Sequence, residues 1–83
     1  MSNQTRKGMM FEADCAKYMK LRNINSKEQL RQLTTCGSNK TFAKYFKNPD
    51  LMPLGVVGQI MDALKVPETD RVQIFKNLMG ERT

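Results

Sequence analysis

The stretch Ser26-Lys-Glu-Gln-Leu-Arg-Gln-Leu-Thr-Thr-Cys-Gly-Ser-Asn-Lys-Thr-Phe-Ala-Lys-Tyr-Phe-Lys47 decides how this chain is read. Ser26 with Gln29 three residues on is a capping box, so a helix opens there and runs through Leu30 and Leu33 to about Thr34. Thr34-Thr35-Cys36-Gly37 interrupts it, with Gly37 free to turn. Ser38 is the next N-cap, and a second helix continues to about Lys47. Asn48-Pro49-Asp50 ends it, because the residue before a proline avoids the α region. On a wheel of about 100° per residue, Phe42, Tyr45 and Phe46 share one side, and Lys40, Lys44 and Lys47 share the other. The aromatics predict a core face and the lysines a solvent face. Three like charges at this spacing repel by about 0.2–0.5 kcal/mol per close pair. A face of no function would more often intersperse acids, and none occurs here before Asp50. An ordinary solvated surface stands beside the functional reading, a helix offered to a polyanion.

Charge over the whole chain favours the second reading. Residues 15–47 hold eight bases and one acid, a local net of +7, while the full 83 residues sum to +6. The flanks nearly cancel, so the positive charge belongs to one region. Such a region concentrates polyanions around it and favours phosphate backbones.

Outward from this stretch the pattern stays helical. Phe11, Cys15, Tyr18 and Met19 predict a helix over 9–22, preceded by a polar, flexible arm, residues 1–8, that carries Arg6 and Lys7. Val57, Ile60, Met61 and Leu64 predict a helix over 54–64 beginning after Pro53. Thr69 caps a last helix over 70–79, closed by Gly80. The expected fold is therefore all-α, five helices in one domain over residues 9–83. Gly55-Val-Val-Gly58 has the spacing of a KH-type loop. Its middle residues are apolar and no strand flanks it, so close packing of the fourth helix is the better reading.

Composition excludes several classes. No apolar run approaches the roughly 18 residues of a membrane span. Met1–Gly8 lacks the apolar segment of a secretory signal, and a cytoplasmic location is expected. Cys15 and Cys36 read as free thiols in the core. With no histidine, a structural zinc site and the usual general base near neutral pH are both missing. Glu12 and Asp14 point to different sides of a helix, and no phosphate-binding loop is present. The expectation is a protein with no enzymatic activity, no cofactor and no small-molecule substrate.

Residues 19–67 resemble the phage-repressor and Cro-type (lambda-repressor-like) helix-turn-helix domain. Ser26–Leu33 is similar to that family's second helix, and Lys40-Thr-Phe-Ala-Lys-Tyr45 to its recognition helix. Pro53 and Ile60-Met-Asp-Ala-Leu-Lys-Val-Pro67 are similar to its fourth helix and closing turn. There are departures: the turn at Thr34–Gly37 is one residue longer than usual, Arg31 stands where a small residue is usual, and the stretch between Pro53 and Ile60 is one residue short. The resemblance implies a sequence-specific, repressor-like regulator that binds double-stranded DNA, with the helix over about 38–47 in the major groove. It implies base contacts from Ser38, Asn39, Lys40, Thr41 and Lys44. Phosphate contacts would come from Lys27, Gln29, Lys47 and Asn48.

By the same analogy a homodimer would read two half-sites. The last helix has apolar residues on two sides, Val72, Phe75 and Met79 on one, Ile74 and Leu78 on the other. One side packs on the core and the other, expected to be Ile74 and Leu78, meets a second copy; a single broad core face is the alternative. The competing functional expectation is a protein-interaction module, an antirepressor or adaptor, that uses the first and fifth helices of the same fold. A preference for structured RNA is a third.

Overall fold

Two backbone carbonyls at the end of one helix organise the molecule. In the computed structural model, which describes residues 4–79, Lys47 O accepts the Thr5 N–H at 2.9 Å and the Thr5 hydroxyl at 3.2 Å. Phe46 O accepts the Gln4 side-chain amide at 3.0 Å. Thr5 also caps the first helix, its hydroxyl accepting Gly8 N–H at 2.9 Å. Helix α1 accordingly spans Arg6–Leu21, three residues earlier than the apolar stripe predicts. The expected arm is thus corrected over residues 4–8; its first three residues lie outside those described. Lys7 is buried and paired with Asp50 at 2.7 Å, so it is not part of a free arm.

Gly8 explains why the start of α1 can lie there. A Cβ at this position would sit 2.5 Å from Phe46 O and 2.6 Å from Lys47 O, closer than side-chain carbon tolerates. The last residue of the expected arm is thus a point of close approach between two helices.

The remaining elements are α2 (Lys27–Gln32), α3 (Asn39–Lys47), a 3-10 turn (Pro49–Leu51), α4 (Leu54–Leu64) and α5 (Glu68–Met79). The fold is all-α with five helices, and no strand occurs among the described residues. Helix α3 packs against α1, α2 and the 3-10 turn, and α1 also packs against α4 and α5. Caps Ser26 and Ser38 stand where the sequence puts them, and α4 has the predicted ends. Helix α5 starts two residues early, because Pro67 O accepts the Arg71 N–H at 2.8 Å and begins the helix ahead of Thr69. Gly80 lies outside the described residues.

The core joins Phe11, Cys15 and Tyr18 of α1 to Leu30, Phe42, Phe46, Met52, the α4 stripe Val57, Ile60, Met61 and Leu64, and Val66, Ile74 and Leu78. Phe46 is its aromatic centre, stacked on Phe11 at 5.4 Å and edge-on to Phe42 at 5.2 Å. Ile74 and Leu78, expected as a dimer face, are 5% and 1% exposed and belong to this core. Helix α5 turns that side inward because α1 lies under it. Val72 and Met79 are left facing out, with Phe75 half-buried.

Helices α1 and α4 end in the same way. Asn23 and Lys65 adopt left-handed backbone (φ 57° and 53°), and the next residues, Ile24 and Val66, donate N–H back to Met19 O and Met61 O at 2.9 and 3.1 Å. This is the Schellman arrangement, with an apolar residue tucked behind each end. Two arginines cover the α4 end: Arg22 donates to Leu64 O at 3.1 Å and Lys65 O at 3.3 Å, and Arg71 donates to Met61 O and Val66 O.

Gly55 and Gly58 are helical, and a Cβ at either meets nothing within 4 Å, so they do not serve close packing. The two kinds of glycine predict opposite signs. Gly58→Ala is expected to stabilise the fold by about 0.5–1 kcal/mol through helix propensity. Gly8→Ala is expected to destabilise it by about 1–3 kcal/mol despite the same propensity gain, because backbone must move. Urea denaturation of both variants checks the pair; a more stable Gly8→Ala protein contradicts the close approach.

Candidate nucleic-acid interface

Ser38 opens α3, its hydroxyl accepting Thr41 N–H at 3.3 Å. Burial of Phe42 and Phe46, with Tyr45 half-buried, sets the rotation of the helix. Lys40, Ala43, Lys44 and Lys47 emerge on the opposite side and are exposed. Among the described residues these three lysines make no ion pair. Nine residues give a rod about 13 Å long.

The connection from α2 to α3 is bonded throughout. Arg31 reaches over it, donating Nη1 to Cys36 O at 3.0 Å and Nε to Asn39 Oδ1. The Thr34 hydroxyl donates to Arg31 O at 2.7 Å and accepts Cys36 N–H at 3.2 Å. From α4, Gln59 Oε1 accepts both the N–H and the hydroxyl of Thr35 at 2.8 and 3.0 Å. Arg31 thus supplies a donor for a carbonyl of the turn that the helices on either side do not satisfy.

Placement of the expected contact residues is mixed. Lys40, Lys44 and Lys47 stand free on the outer edge, and Ser38 is exposed at the N-cap. Thr41 is half-buried on the flank of the helix. Asn39 is exposed but its amide is engaged, accepting from Arg31 and donating Nδ2 to Glu28 Oε1 at 3.3 Å. Lys27 turns away toward α1, where its ammonium pairs with Glu12 and lies 5.1 Å from the Phe46 ring centre. Gln29 N–H is capped by Ser26 at 3.2 Å, and its Oε1 accepts the N–H of Asn25, one residue ahead of the cap, at 2.7 Å. Asn48 caps the 3-10 turn through Oδ1 and Asp50 N–H at 3.3 Å. In this geometry Asn39 and Lys27 tie helices together, and the oxygens of Gln29 and Asn48 cap backbone. Local polar groups that read as ligands for DNA find nearer partners in their own chain.

Reasoning from sequence missed three residues here. Ala43 sits among the lysines, and the helical wheel alone could have found it. Arg31 and Gln59 act across eight and 24 positions of sequence, and no local signal points to either.

The electrostatics follow from these pairings. The Lys27 ammonium, helped by the Gln4 amide, holds the Glu12 carboxyl below its ordinary range. A bond from the Tyr18 hydroxyl to the Asp70 carboxylate ties α1 to α5 and raises the Tyr18 pKa. Burial pushes the Cys15 thiol far up, leaving it inert, and both cysteines are free. No group of three metal-ligating side chains occurs among the described residues, and no described helix is long and apolar enough to cross a membrane.

No protein-family profile, curated protein or solved structure matches this chain.

Lys27→Ala should return the Glu12 carboxyl toward its ordinary range in a carboxyl NMR titration. The cost at neutral pH should stay under about 1 kcal/mol, since both groups are partly exposed. The sign is fixed by the lowered value. The contribution of Glu12 is complete above its unfolded pKa and disappears as pH falls through the folded one. An unchanged Glu12 titration contradicts the pairing.

Proposed function

We propose that this protein binds double-stranded DNA by laying the outer edge of α3 in the major groove, as a repressor-like regulator of transcription. The observation that carries the reading is the row Lys40, Lys44 and Lys47, exposed and without a carboxylate partner among the described residues, on a helix whose other side is anchored by Phe42 and Phe46. Self-repulsion along that row is relieved by a polyanion. A helix about 10–12 Å across with its side chains suits a groove about 12 Å wide. The bonded turn between α2 and α3 supports the same reading, because a preordered helix loses little freedom on binding. Likeness of residues 19–67 to the phage-repressor and Cro-type domain adds a fold-level analogy and no more.

The lysines divide by position. Lys40 in the first turn of α3 and Lys44 one turn further on face base edges, and Lys47 at the end of the helix meets phosphate. A homodimer on two-fold half-sites fits this plan. Its interface excludes Ile74 and Leu78, and Val72 and Met79 are the apolar side chains that α5 leaves outside.

Fluorescence anisotropy with a labelled duplex tests the reading. Affinity is expected to fall steeply with salt, with a log–log slope of about −0.9 for each phosphate neutralised. Lys40→Ala with Lys44→Ala should abolish binding to duplex while leaving the thermal melt in place. Lys47→Ala should weaken binding to all sequences alike and flatten the slope by about 1. A flat salt response of the parent protein contradicts the proposal, and tighter binding to structured RNA than to duplex replaces it.

A further inference from the structure

Four side-chain oxygens around α3 that could have read a base as acceptor each take a hydrogen bond from their own chain. Ser38 Oγ holds Thr41 N–H at 3.3 Å, and Gln29 Oε1 holds Asn25 N–H at 2.7 Å. Asn48 Oδ1 holds Asp50 N–H at 3.3 Å, and Asn39 Oδ1 holds the Arg31 guanidinium. The other end of the Asn39 amide donates to Glu28, which keeps that carboxylate beside α2 rather than on the α3 edge. Thr41 is half-buried and lies about 100° around the helix from Lys40, on the flank near Tyr45. What remains outward is ammonium from Lys40, Lys44 and Lys47, and the methyl of exposed Ala43 between them.

Base pairs differ in what they require of such a face. In the major groove guanine presents two adjacent acceptors, N7 and O6. Adenine presents an acceptor beside a donor, and its usual partner is the two-headed amide of Asn or Gln. Cytosine presents a donor and needs an acceptor opposite. A helix edge whose outward polar groups are ammonium donors therefore matches guanine. A bare methyl at Ala43 adds van der Waals contact for a neighbouring thymine methyl without a hydrogen bond.

We infer that α3 is a guanine-reading helix, with Lys40 and Lys44 each directed at a G·C pair and Asn39 withheld from adenine by the Arg31–Asn39–Glu28 chain. The inference rests on the major-groove reading of α3 given above. Lys40 and Lys44 lie one helical turn apart, so the two pairs fall within the roughly four base pairs that a 13 Å rod spans at 3.4 Å per step. Arg31 is a positioning residue: it fixes the orientation of the Asn39 amide and touches no base itself.

Selection of bound duplexes from a random pool tests this, run in parallel with the parent protein, Lys44→Ala and Arg31→Ala. Circular dichroism confirms that each remains helical. The parent should enrich sites with G·C pairs at two positions within one such window. Replacing the guanine at either position by 7-deazaguanine, which lacks the N7 acceptor, should weaken binding about tenfold. Lys44→Ala should lose preference at one of the two positions and keep the other. Arg31→Ala, by releasing the Asn39 amide, should add a preference for A·T at a position where the parent shows none. Two outcomes overturn the inference while leaving DNA binding intact. One is a parent consensus of A·T pairs throughout the window. The other is a Lys44→Ala protein whose affinity drops equally for all sequences, which assigns that lysine to phosphate. If no duplex is retained even at low salt, the DNA-binding reading fails and this inference fails with it.

Discussion

The first turn of α1 lies on the last turn of α3, and the rest of the molecule depends on that contact. A helix ends with carbonyls that have no partner inside it, and burying such an end unsatisfied is costly. Here Thr5 and Gln4 supply the donors for Lys47 O and Phe46 O, and Gly8 removes the Cβ that would hold the two backbones apart. With the backbones this close, Phe46 can stack on Phe11 and Lys7 can reach Asp50 beyond the helix end. The rotation of α3 about its own axis is then settled, and so is the direction in which its lysines point.

A second constraint acts at the other end of α3. The turn before it is held from both sides, by Arg31 of α2 and by Gln59 of α4. Helix α4 is fixed in its turn by Arg22 of α1 and Arg71 of α5, which bind the carbonyls at its C-terminus. Guanidinium suits this work because its fixed fork of donors can satisfy two carbonyls at once. The consequence for charge is direct. Arg22, Lys27 and Arg31 all belong to the basic region of the sequence, yet each is used to join helices. The charge that remains uncommitted on α3 is narrower than the +7 of the region suggests, and it is aligned.

How much was legible in the sequence differs between fold and site. Capping residues Ser26 and Ser38, the stop at Pro49 and the apolar stripe of α4 are local signals, set within one or two turns of backbone, and the elements stand where those signals put them. The aromatic and lysine sides of α3 are likewise a property of one helix, since a spacing of three or four residues defines a face whatever packs on it. The expected arm failed over residues 4–8 because a polar segment looks the same in sequence whether it is free or its backbone is held by a distant helix end. The expected dimer face failed because α5 is apolar on two sides, and only the position of α1 determines which is covered. Asn39, Gln29 and Asn48 were assigned to DNA by the family resemblance, while their partners lie within the chain, and the bonds of Asn39 have no local signature.

What the sequence determined by itself, then, is the set of helices and the two-sided character of α3, because both follow from short-range periodicity and capping chemistry. Tertiary structure alone decided which donors and acceptors are left over. A side chain hydrogen-bonds to whatever the fold brings within about 3 Å of it, and that neighbour can be eight residues away, as Asn39 is from Arg31, or 42, as Thr5 is from Lys47.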